Sequence, residues 1–564
     1  MVQFSTMPVS DLVKSLLEKR GIVSEENISA FLNPDYDAHL HSPELLSGIR
    51  EAVSRLLMAI ASGERIAVYA DFDCDGIPGA ALLSDFFQKI GYANFEVYLP
   101  HRDREGYGFH KEAIEELAGR GVKLIITVDV GTTAIDAVAF AKNLGVDVIV
   151  TDHHEIPGAL PNAIAVLNPK LGNYPFPHLC GAAVAWKLVQ GALAEGKRRG
   201  IEGFTKIPPG WEKWLLDLVG IATIADMVPL VGENRVLARF GLSVLQKSPR
   251  PGLRALCNRL RLRQSELSED DIGFSIAPRI NAASRMDEPD AAFRLLITRD
   301  SNEAEQIAAH LERLNTRRKG VVGSIVREVR KRVRDRFRAD EQVIVLGDTQ
   351  WKPALLGLAA NSILEDRGGV VCLWGRDALG RIKGSCRSDG SVSVVELFEK
   401  APGAVLEYGG HKASCGFSVS HEAVHNLTDA LTLSLENIER SLSKNGSTRE
   451  SDAMLSLSEI SIGLYEQVSR LAPFGIGNPK PVFLFSETVV STVRRFGKEK
   501  NHIEIILTCQ RTGEVTRAFD FFKSPDSFTL VPSGGGKADI LATLEKDSFR
   551  GGLALRLIDI IPSK

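Results

Sequence analysis

The segment 65–76 places a run of apolar residues immediately before three closely spaced carboxylates. Its first half, 66–70, has the continuous hydrophobicity of a strand that is buried on both faces of a parallel sheet. Asp71, Asp73 and Asp75 follow at alternate positions, and a glycine and a predicted helix come next. Crowded carboxylates raise one another's pKa unless a cation lies between them, and oxygen ligands suit a hard divalent ion. Considered by itself, the segment is explained equally well as a metal site or as an acidic turn that caps the following helix.

Two further apolar segments end in the same manner, one in Asp129 and the other in Asp152, His153 and His154. Strands that alternate with helices predict βαβ units, and the carboxyl ends of parallel strands meet at one edge of the sheet. The sequence therefore predicts that these side chains come together as a metal site. Asp226 follows an apolar helical segment, and it either caps that helix or completes the cluster.

Composition limits the class of protein. The 564 residues predict three or four domains, and a composition of 44% hydrophobic and 25% charged residues is typical of globular proteins. The formal net charge of −3 excludes a uniformly basic surface. Seven scattered cysteines without CxxC spacing argue against a zinc site and a disulfide framework. Without a signal sequence or a long apolar run, we expect a cytoplasmic protein with no membrane segment.

The middle of the chain predicts a long helix followed by a second α/β unit. Residues 302–338 read as one helix rich in Arg and Lys, which forms either a solvated face or a track for backbone phosphates. A second α/β unit begins near residue 342. Within it, 383–388 and 408–411 combine small residues with Arg and His, as a phosphate-binding cradle requires.

The last part of the chain predicts a small β-barrel. A polar linker at 441–451 precedes about five short strands between residues 482 and 558, which fit an OB-fold. Phe519, Phe521 and Phe522 either pack in the core or stack on nucleobases, with Lys523 beside them.

Taken in order, these motifs resemble the DHH phosphoesterase family, and within it the single-stranded-DNA-specific exonucleases. The metal motifs are 71–76, 128–131, 152–154 and 225–226. The supporting signatures are 20–22, 31–34, 105–108, 278–285, 383–388, 409–411 and 473–479.

The resemblance implies a multi-domain α/β fold. Its parts are a parallel-sheet DHH domain, a long connecting helix, an α/β DHH-associated domain and an OB-like barrel. The expected boundaries are 1–45 for an N-terminal extension, 46–245 for the DHH domain, 246–338 for the helical connector, 339–440 for the DHH-associated domain and 452–564 for the barrel.

The resemblance also implies a site with two divalent cations, Mn²⁺ or Mg²⁺. One ion is expected on Asp71, Asp73 and Asp129, and the other on Asp75, Asp129, His153 and Asp226, with Asp129 bridging both. His154 would contact the scissile phosphate. The expected phosphate and 5′-end contacts are Arg102, Arg279, Ser385, Arg387 and His411. Several positions depart from the family pattern, namely Tyr69, Cys74, Pro78, Val130, Lys352 and Cys386.

The activity implied by the resemblance is two-metal hydrolysis of single-stranded DNA in the 5′→3′ direction, with release of mononucleotides, in DNA repair and recombination. The implied partners are a single-strand-binding protein and a helicase, and the family favours a monomer. Two alternatives are a DHH phosphodiesterase of short oligonucleotides or cyclic dinucleotides, and an inactive single-strand-binding scaffold.

Overall fold

The computed structural model describes residues 9–156, 158–338, 340–438, 450–497, 499–547 and 550–563. Contacts divide the chain into two compact units. The sheet unit comprises the described parts of 42–226 and 241–446, and the barrel unit comprises those of 1–41, 227–240 and 447–564. The barrel unit is therefore built from three separate stretches of the chain.

In chain order the α-helices are α1 (Asp11–Glu18), α2 (Glu25–Leu32), α3 (Tyr36–His39), α4 (Ile49–Ala61), α5 (Gly76–Lys89), α6 (Lys111–Gly119), α7 (Ile135–Asn143), α8 (Gly181–Arg198), α9 (Glu202–Thr205), α10 (Leu216–Ala225), α11 (Gly232–Leu245), α12 (Pro251–Leu260), α13 (Glu269–Asp271), α14 (Ala277–Arg285), α15 (Pro289–Ile297), α16 (Ser301–Arg336), α17 (Pro353–Arg367), α18 (Val394–Glu399), α19 (Leu427–Glu436) and α20 (Ile462–Ser469). The strands are β1 (Arg65–Ala70), β2 (Phe95–Tyr98), β3 (Val122–Val128), β4 (Asp147–Thr151), β5 (Ala165–Leu167), β6 (Val343–Gly347), β7 (Val370–Arg376), β8 (Ile382–Ser388), β9 (Glu407–His411), β10 (Ser414–Val419), β11 (Ala453–Leu455), β12 (Phe483–Phe496), β13 (His502–Cys509), β14 (Val515–Asp520), β15 (Gly536–Lys546) and β16 (Leu553–Ile561).

The first sheet of the sheet unit is parallel, with strand order β2-β1-β3-β4-β5. Its central strands are buried on both faces because helices cover the sheet, as their unbroken apolar sequences predicted. Ala70 lies beside Val128, and Val128 lies beside Thr151. The acidic residues that follow these three strands therefore leave the sheet at the same edge.

The second sheet is mixed, with order β6-β7-β8-β10-β9. Helix α16 leads into it and begins at Asp300, whose side chain accepts hydrogen bonds from the amides of Asn302 and Glu303. Helix α16 packs on α12, α14 and α15. Its second half contributes Ile325 and Val329 to a core shared with α17 and the sheet. The predicted connecting helix and second α/β unit are thus confirmed.

Several arginines in the second half of α16 make ion pairs within the sheet unit. Arg330 contacts Asp366 at 2.7 Å, and Arg332 contacts Asp348 at 2.8 Å. Both pairs connect the helix to the α/β unit that follows it, so these two arginines have a structural role independent of any phosphate track.

In the barrel unit, the third sheet runs β11-β12-β13-β14-β16-β15, and pairing of β12 with β15 closes it into the predicted OB-like barrel. Helices α1 and α2 bury Leu16, Leu17 and Phe31 in the same core as the barrel strands. The Arg235 guanidinium stacks on the Phe31 ring at 3.6 Å and donates to the Leu471 carbonyl at 2.9 Å. One buried arginine therefore ties all three stretches of the unit together.

None of the helices in the described part of the chain is both long enough and apolar enough to cross a membrane.

Candidate metal centre

The carboxyl ends of β1, β3 and β4 bring together side chains that lie far apart in the sequence. His153 Nε2 lies 3.1 Å from an Asp129 oxygen, 3.6 Å from an Asp226 oxygen and 3.7 Å from an Asp75 oxygen. The ligand atoms of Asp75, His153 and Asp226 lie within 4.8 Å of one another. Asp226 directly follows α10 and directs its carboxylate into this cluster. The geometry is that of a cation site built from three oxygens and one imidazole nitrogen.

A second group of ligand atoms adjoins the first and shares Asp129 with it. The carboxylates of Asp71, Asp73 and Asp129 offer oxygens within 4.8 Å of one another. One buried oxygen of Asp71 and one of Asp129 have no hydrogen-bond partner. A buried carboxylate oxygen without a donor is costly, and a bound cation removes that cost. The donor set, rich in carboxylates with a single imidazole, fits Mn²⁺ or Mg²⁺.

Asp73 also contributes to local folding. Its Oδ1 atom accepts hydrogen bonds from the amides of Asp75 at 2.8 Å and Gly76 at 3.2 Å, where α5 begins. Asp73 therefore fits both interpretations of this segment, because it is a candidate metal ligand and also accepts hydrogen bonds at the start of α5.

The amino end of α8 fixes the position of Asp75. The amides of Gly181 and Ala182 donate to the two Asp75 oxygens at 2.6 and 2.8 Å. Unsatisfied amides at a helix start favour a carboxylate, and they hold this ligand in one orientation. Gly181 is not among the residues predicted from the sequence to belong to the site. A run of four small residues at 180–183 was the available signal.

Gly181 also makes room for the shared ligand. Asp129 has a left-handed backbone with φ of 60°, a conformation that costs energy for a residue with a side chain. A Cβ atom on Gly181 would lie 2.6 Å from the Asp129 Cβ, well inside contact distance. Only glycine at position 181 allows Asp129 to occupy the centre of the cluster.

Asp152 orients His154. Its Oδ1 atom lies 2.7 Å from His154 Nδ1, and its Oδ2 accepts from the Thr132 amide at 2.8 Å. The Asn168 side chain donates to the His154 carbonyl at 2.9 Å and so supports the same turn. With Nδ1 bound to Asp152, Nε2 is the ring nitrogen of His154 that can contact a ligand. The ring of Tyr107 lies beside His154, with its hydroxyl 3.1 Å from Nδ1 and 3.3 Å from Nε2.

The electrostatics of the cluster favour a bound cation. Burial raises the pKa of Asp129 and Asp226 well above the ordinary value, and repulsion from neighbouring carboxylates adds to the effect. Burial, together with Asp73, raises the pKa of Asp75 to about 6. Burial lowers the pKa of His153 to about 3, so its imidazole is neutral and able to bind a metal ion.

A pH titration of stability tests this clustering. Because the pKa of Asp75 is about 6 in the folded protein and about 3.9 in an unfolded chain, the folded state binds more protons between those values. The raised pKa values of Asp71, Asp129 and Asp226 act in the same direction, whereas His153, with its pKa lowered to about 3, is one group that acts in the opposite direction. Because the carboxylates outnumber this histidine, stability in EDTA should fall as pH rises through the window, and the contribution of Asp75 to this penalty is fully present above pH 6. Excess Mn²⁺ should remove this penalty. The increase in protein stability that Mn²⁺ produces should become smaller as pH falls. Thermal unfolding measured in EDTA and in Mn²⁺ checks both signs. Stability in EDTA that rises with pH across the window would contradict the prediction.

A cleft of about 1090 Å³ opens beside the metal cluster. Arg102, Ser385 and His411 line it, together with Asp71, Asp73, Asp129 and His154. The guanidinium of Arg102 lies over the Phe72 ring at 4.8 Å.

Arg387 lies next to the cleft wall and donates to Ser385 Oγ at 3.1 Å. A Cβ atom on Gly357 of α17 would lie 2.3 Å from the Arg387 guanidinium, so this glycine leaves the space that Arg387 fills.

Arg279 and Arg285 lie on the same helix but differ in their surroundings. Arg279 pairs with Glu312 at 2.8 Å and does not line the described part of the cleft. Arg285 donates to the carbonyl of Ala354, a cleft residue, at 2.6 Å. Burial lowers the pKa of Arg285, and the nearby Arg102 and other arginines lower it further. Arg285 is not among the phosphate contacts expected from the sequence, although it ends the motif at 278–285.

The structure shows the surroundings of Tyr69, Lys352 and Cys386, three of the positions that depart from the family pattern. The Tyr69 hydroxyl donates to the Gly108 carbonyl at 2.9 Å, and its ring packs on Tyr98, so this phenol lies in the core. Lys352 pairs with Asp287 at 2.7 Å. Cys386 is buried, as its position on the inner face of β8 requires.

Comparison with known proteins agrees with this geometry. Residues 65–223 match the model of the DHH family, N-terminal domain, 340–437 match the DHHA1 domain, and 451–559 match the RecJ OB domain. The single-stranded-DNA-specific exonuclease RecJ of Escherichia coli (strain K12) is 30% identical over 566 residues, covering 97% of this chain and 95% of that protein. The chain belongs to the RecJ family.

Other RecJ proteins resemble the chain to a similar degree. RecJ of Bacillus subtilis (strain 168) is 34% identical over 504 residues, which cover 88% of this chain but only 62% of that longer protein. The crystal structure of RecJ from Thermus thermophilus in complex with Mn²⁺ matches with a TM-score of 0.76 at 28% identity, covering 99% of this chain and 79% of that chain. A structure of the same RecJ in complex with Mg²⁺ gives a TM-score of 0.73.

Proposed function

We propose that this chain hydrolyses single-stranded DNA from its 5′ end, releasing mononucleotides, with two divalent cations as cofactors. The observation that carries the proposal is the approach of Asp75, His153 and Asp226 on one side of Asp129, and of Asp71 and Asp73 on the other. The complete ligand set argues against an inactive scaffold. Membership of the RecJ family, whose Thermus thermophilus member has structures with Mn²⁺ and with Mg²⁺, supports the metal and the substrate.

The proposed mechanism assigns a distinct task to each part of the site. Asp71, Asp73 and Asp129 would hold one ion, and Asp75, Asp129, His153 and Asp226 the other. Bound there, the ions supply Lewis acidity, which acidifies water and offsets the charge that develops on the phosphate in the transition state.

The chain's own residues position the substrate. Although burial opposes it, the hydrogen bond with Asp152 raises the pKa of His154 and favours its protonated form. A protonated His154 donates from Nε2 to a phosphate oxygen and neutralises part of its charge. Arg102, Arg387 and His411 would bind the terminal phosphate on the cleft wall, and Arg285 adds positive charge behind them. Arg279 belongs to this set only through the family resemblance, since its guanidinium is engaged by Glu312.

A labelled-substrate assay tests polarity and strand specificity together. With Mn²⁺, a 5′-phosphorylated single strand labelled on its first nucleotide should release that label at once as a mononucleotide. The same strand labelled at its 3′ end should shorten progressively, and a blunt duplex should stay intact. Early release of the 3′ label would refute the polarity. Cleavage of a dinucleotide but not of the long strand would favour the short-oligonucleotide phosphodiesterase.

Exposed aromatic side chains on the barrel supply a second test of substrate binding. Phe519 is buried, whereas Phe521 and Phe522 are 41% and 79% exposed. The Arg556 guanidinium lies over the Phe521 ring at 4.5 Å. Rings beside a cation form a stacking surface for bases and a contact for phosphate.

Phe522→Ala should therefore weaken binding of a long single strand about tenfold, because one stacked base is worth about 1–3 kcal/mol. Fluorescence anisotropy with the protein in EDTA measures binding without cleavage. Val515→Ala, at a 64% exposed apolar position of the same barrel, is the matched control. Equal affinities of the two variants for the single strand would show that Phe522 does not stack on a base.

The cellular setting is part of the proposal. All seven cysteines are free and buried, as is usual in a reducing compartment, so we place the protein in the cytoplasm. Roles in DNA repair and recombination, a monomeric state, and partnership with a single-strand-binding protein and a helicase rest on the family resemblance.

A further inference from the structure

Three of the seven cysteines lie side by side in the second sheet. In the strand register, Cys372 of β7 is directly opposite Cys386 of β8, and Cys386 is directly opposite Cys415 of β10. All three side chains are buried in the core that α18 and α19 cover. None of them takes part in a disulfide, so this face of the sheet holds a row of three thiols.

Backbone hydrogen bonds show that the two neighbouring pairs in this row differ. At the end of β8, the amide of Ser388 donates to the carbonyl that precedes β10 at 2.9 Å, and the amide of Asp389 donates to the carbonyl that precedes β7 at 3.1 Å. Because successive amides of a strand point to opposite neighbours, the amide of Cys386 points toward β10. Cys386 and Cys415 therefore form a hydrogen-bonded pair, whereas Cys372 and Cys386 form a non-hydrogen-bonded pair.

The non-hydrogen-bonded pair is the one placed for a disulfide. A disulfide needs Cβ atoms about 3.5–4.5 Å apart, and directly opposite Cβ atoms are about 4.5–5.5 Å apart, closest in non-hydrogen-bonded pairs. The thiol of Cys372 donates to Cys386 Sγ at 2.6 Å. The thiol of Cys415 is turned to the backbone, where it donates to the carbonyls of Gly409 and Gly416 at 3.2 and 3.1 Å.

We propose that Cys372 and Cys386 form a reversible disulfide when the protein is exposed to a peroxide. Hydrogen peroxide first converts one thiol to a sulfenic acid and releases one water. The sulfur of the other thiol then attacks the sulfenic sulfur; the S–S bond forms, the S–O bond breaks, and the hydroxyl leaves with the thiol proton as a second water. Two thiols and one peroxide thus give one disulfide and two waters, and a dithiol reductant reverses the change.

The edge of the second sheet gives a small oxidant a route to this pair. β9 is the last strand of the sheet and is exposed along its whole length, and β10 alone separates it from β8. An exposed edge that contains Gly409 and Gly410 opens at little cost in free energy. Burial, together with the neighbouring thiol of Cys372, holds the pKa of Cys386 well above its ordinary value, so the thiols stay protonated and react slowly. We therefore expect oxidation over minutes to hours.

The disulfide should act on the opposite face of β8. Side chains alternate along a strand, so Ser385 and Arg387, on either side of Cys386, point to the face that borders the cleft. Closing the disulfide draws β8 toward β7 by up to about 1 Å. Arg387 fits tightly against α17, where a Cβ atom on Gly357 would lie 2.3 Å from its guanidinium, so a shift of β8 changes its position. Resting on the proposed function, we expect oxidation to weaken binding of the substrate phosphate.

Peptide mapping tests the pair without an assay of activity. The native full-length protein is exposed to hydrogen peroxide, alkylated in denaturant and digested with trypsin. It should lose two of its seven alkylatable thiols and the mass of two hydrogen atoms, and a joined peptide should link Cys372 to Cys386 until dithiothreitol separates it. Cys372→Ala and Cys372→Val should abolish the joined peptide. Cys257→Ala, at a buried position in α12, should retain it. Linkage of Cys386 to Cys415, or a pair that stays reduced, would overturn the proposal.

Kinetics before and after oxidation separate this inference from the proposed function. The KM of the wild-type protein for a 5′-phosphorylated single strand should rise about tenfold on oxidation, as expected when one hydrogen bond to a charged group is lost. The two Cys372 variants should keep their KM after peroxide. An equal rise in these variants, or an unchanged KM in the disulfide form of the wild type, would overturn the link between the pair and the cleft. A disulfide that forms in a protein with no hydrolysis even when reduced would instead refute the proposed function.

Discussion

Replacing Asp129 with Asn is expected to lower hydrolysis of single-stranded DNA by at least about a thousandfold, because this residue serves both proposed ions. Asn has the same shape and tolerates the left-handed backbone at position 129, so the change removes charge with little strain. The measurement is release of labelled mononucleotide in Mn²⁺, with Mn²⁺ affinity followed by calorimetry.

The same variant should be more stable than the wild type when metal is absent. Neutral Asn removes one of the crowded, buried charges that repel Asp75 and Asp226. Its melting temperature in EDTA should therefore rise, while the increase on adding Mn²⁺ should largely vanish. Asp147→Asn is the matched control, since Asp147 pairs with Arg55 at the opposite end of the same sheet. Turnover by Asp129→Asn within tenfold of the wild type would show that Asp129 is not a shared ligand.

Gly181→Ala should inactivate the protein almost as completely, although it removes no functional group. The added methyl would lie 2.6 Å from the Asp129 Cβ, so either α8 or the strand end must shift. A shift of α8 also displaces the amides that hold Asp75. We expect a stability loss of about 1–3 kcal/mol, typical of overpacking, together with loss of Mn²⁺ binding.

Denaturant unfolding and Mn²⁺ titration, measured on the same sample, separate these two effects. The matched control is Gly320→Ala, which adds a methyl at an open helical position in α16. That control should keep metal binding and gain slightly in stability, because Ala favours helices over Gly. Normal Mn²⁺ affinity in a folded Gly181→Ala protein would mean that α8 does not position the ligands.

The ligands at the strand ends could be predicted from the sequence, because their approach depends only on apolar strands and on the parallel order of those strands. Apolar strands were recognisable from composition, and the parallel arrangement carried Asp71 and Asp129 to a common edge. For Asp226 the sequence left two possibilities, a helix cap or a metal ligand. The position of a carboxylate at a helix end does not show which neighbour it contacts.

Features that depend on tertiary approach were not predictable in this way. The amides that bind Asp75 come from residues 106 and 107 positions further along the chain. Similarly, Arg279 and Arg285 belong to one motif and one helix, and only the folded structure distinguishes the arginine paired with Glu312 from the one beside the cleft. Local patterns identify donors and acceptors, whereas their pairing is a property of the complete fold.

The barrel was expected over 452–564, and its core also includes residues from the start of the chain, while 227–240 belong to the same compact unit. A fragment that begins at residue 450 would leave the hydrophobic surface normally covered by Leu16, Leu17 and Phe31 facing water. Such a fragment should aggregate or remain partly unfolded. Dissection of this protein into separately folding pieces therefore has to follow spatial neighbours, with the amino-terminal helices supplied alongside the last strands.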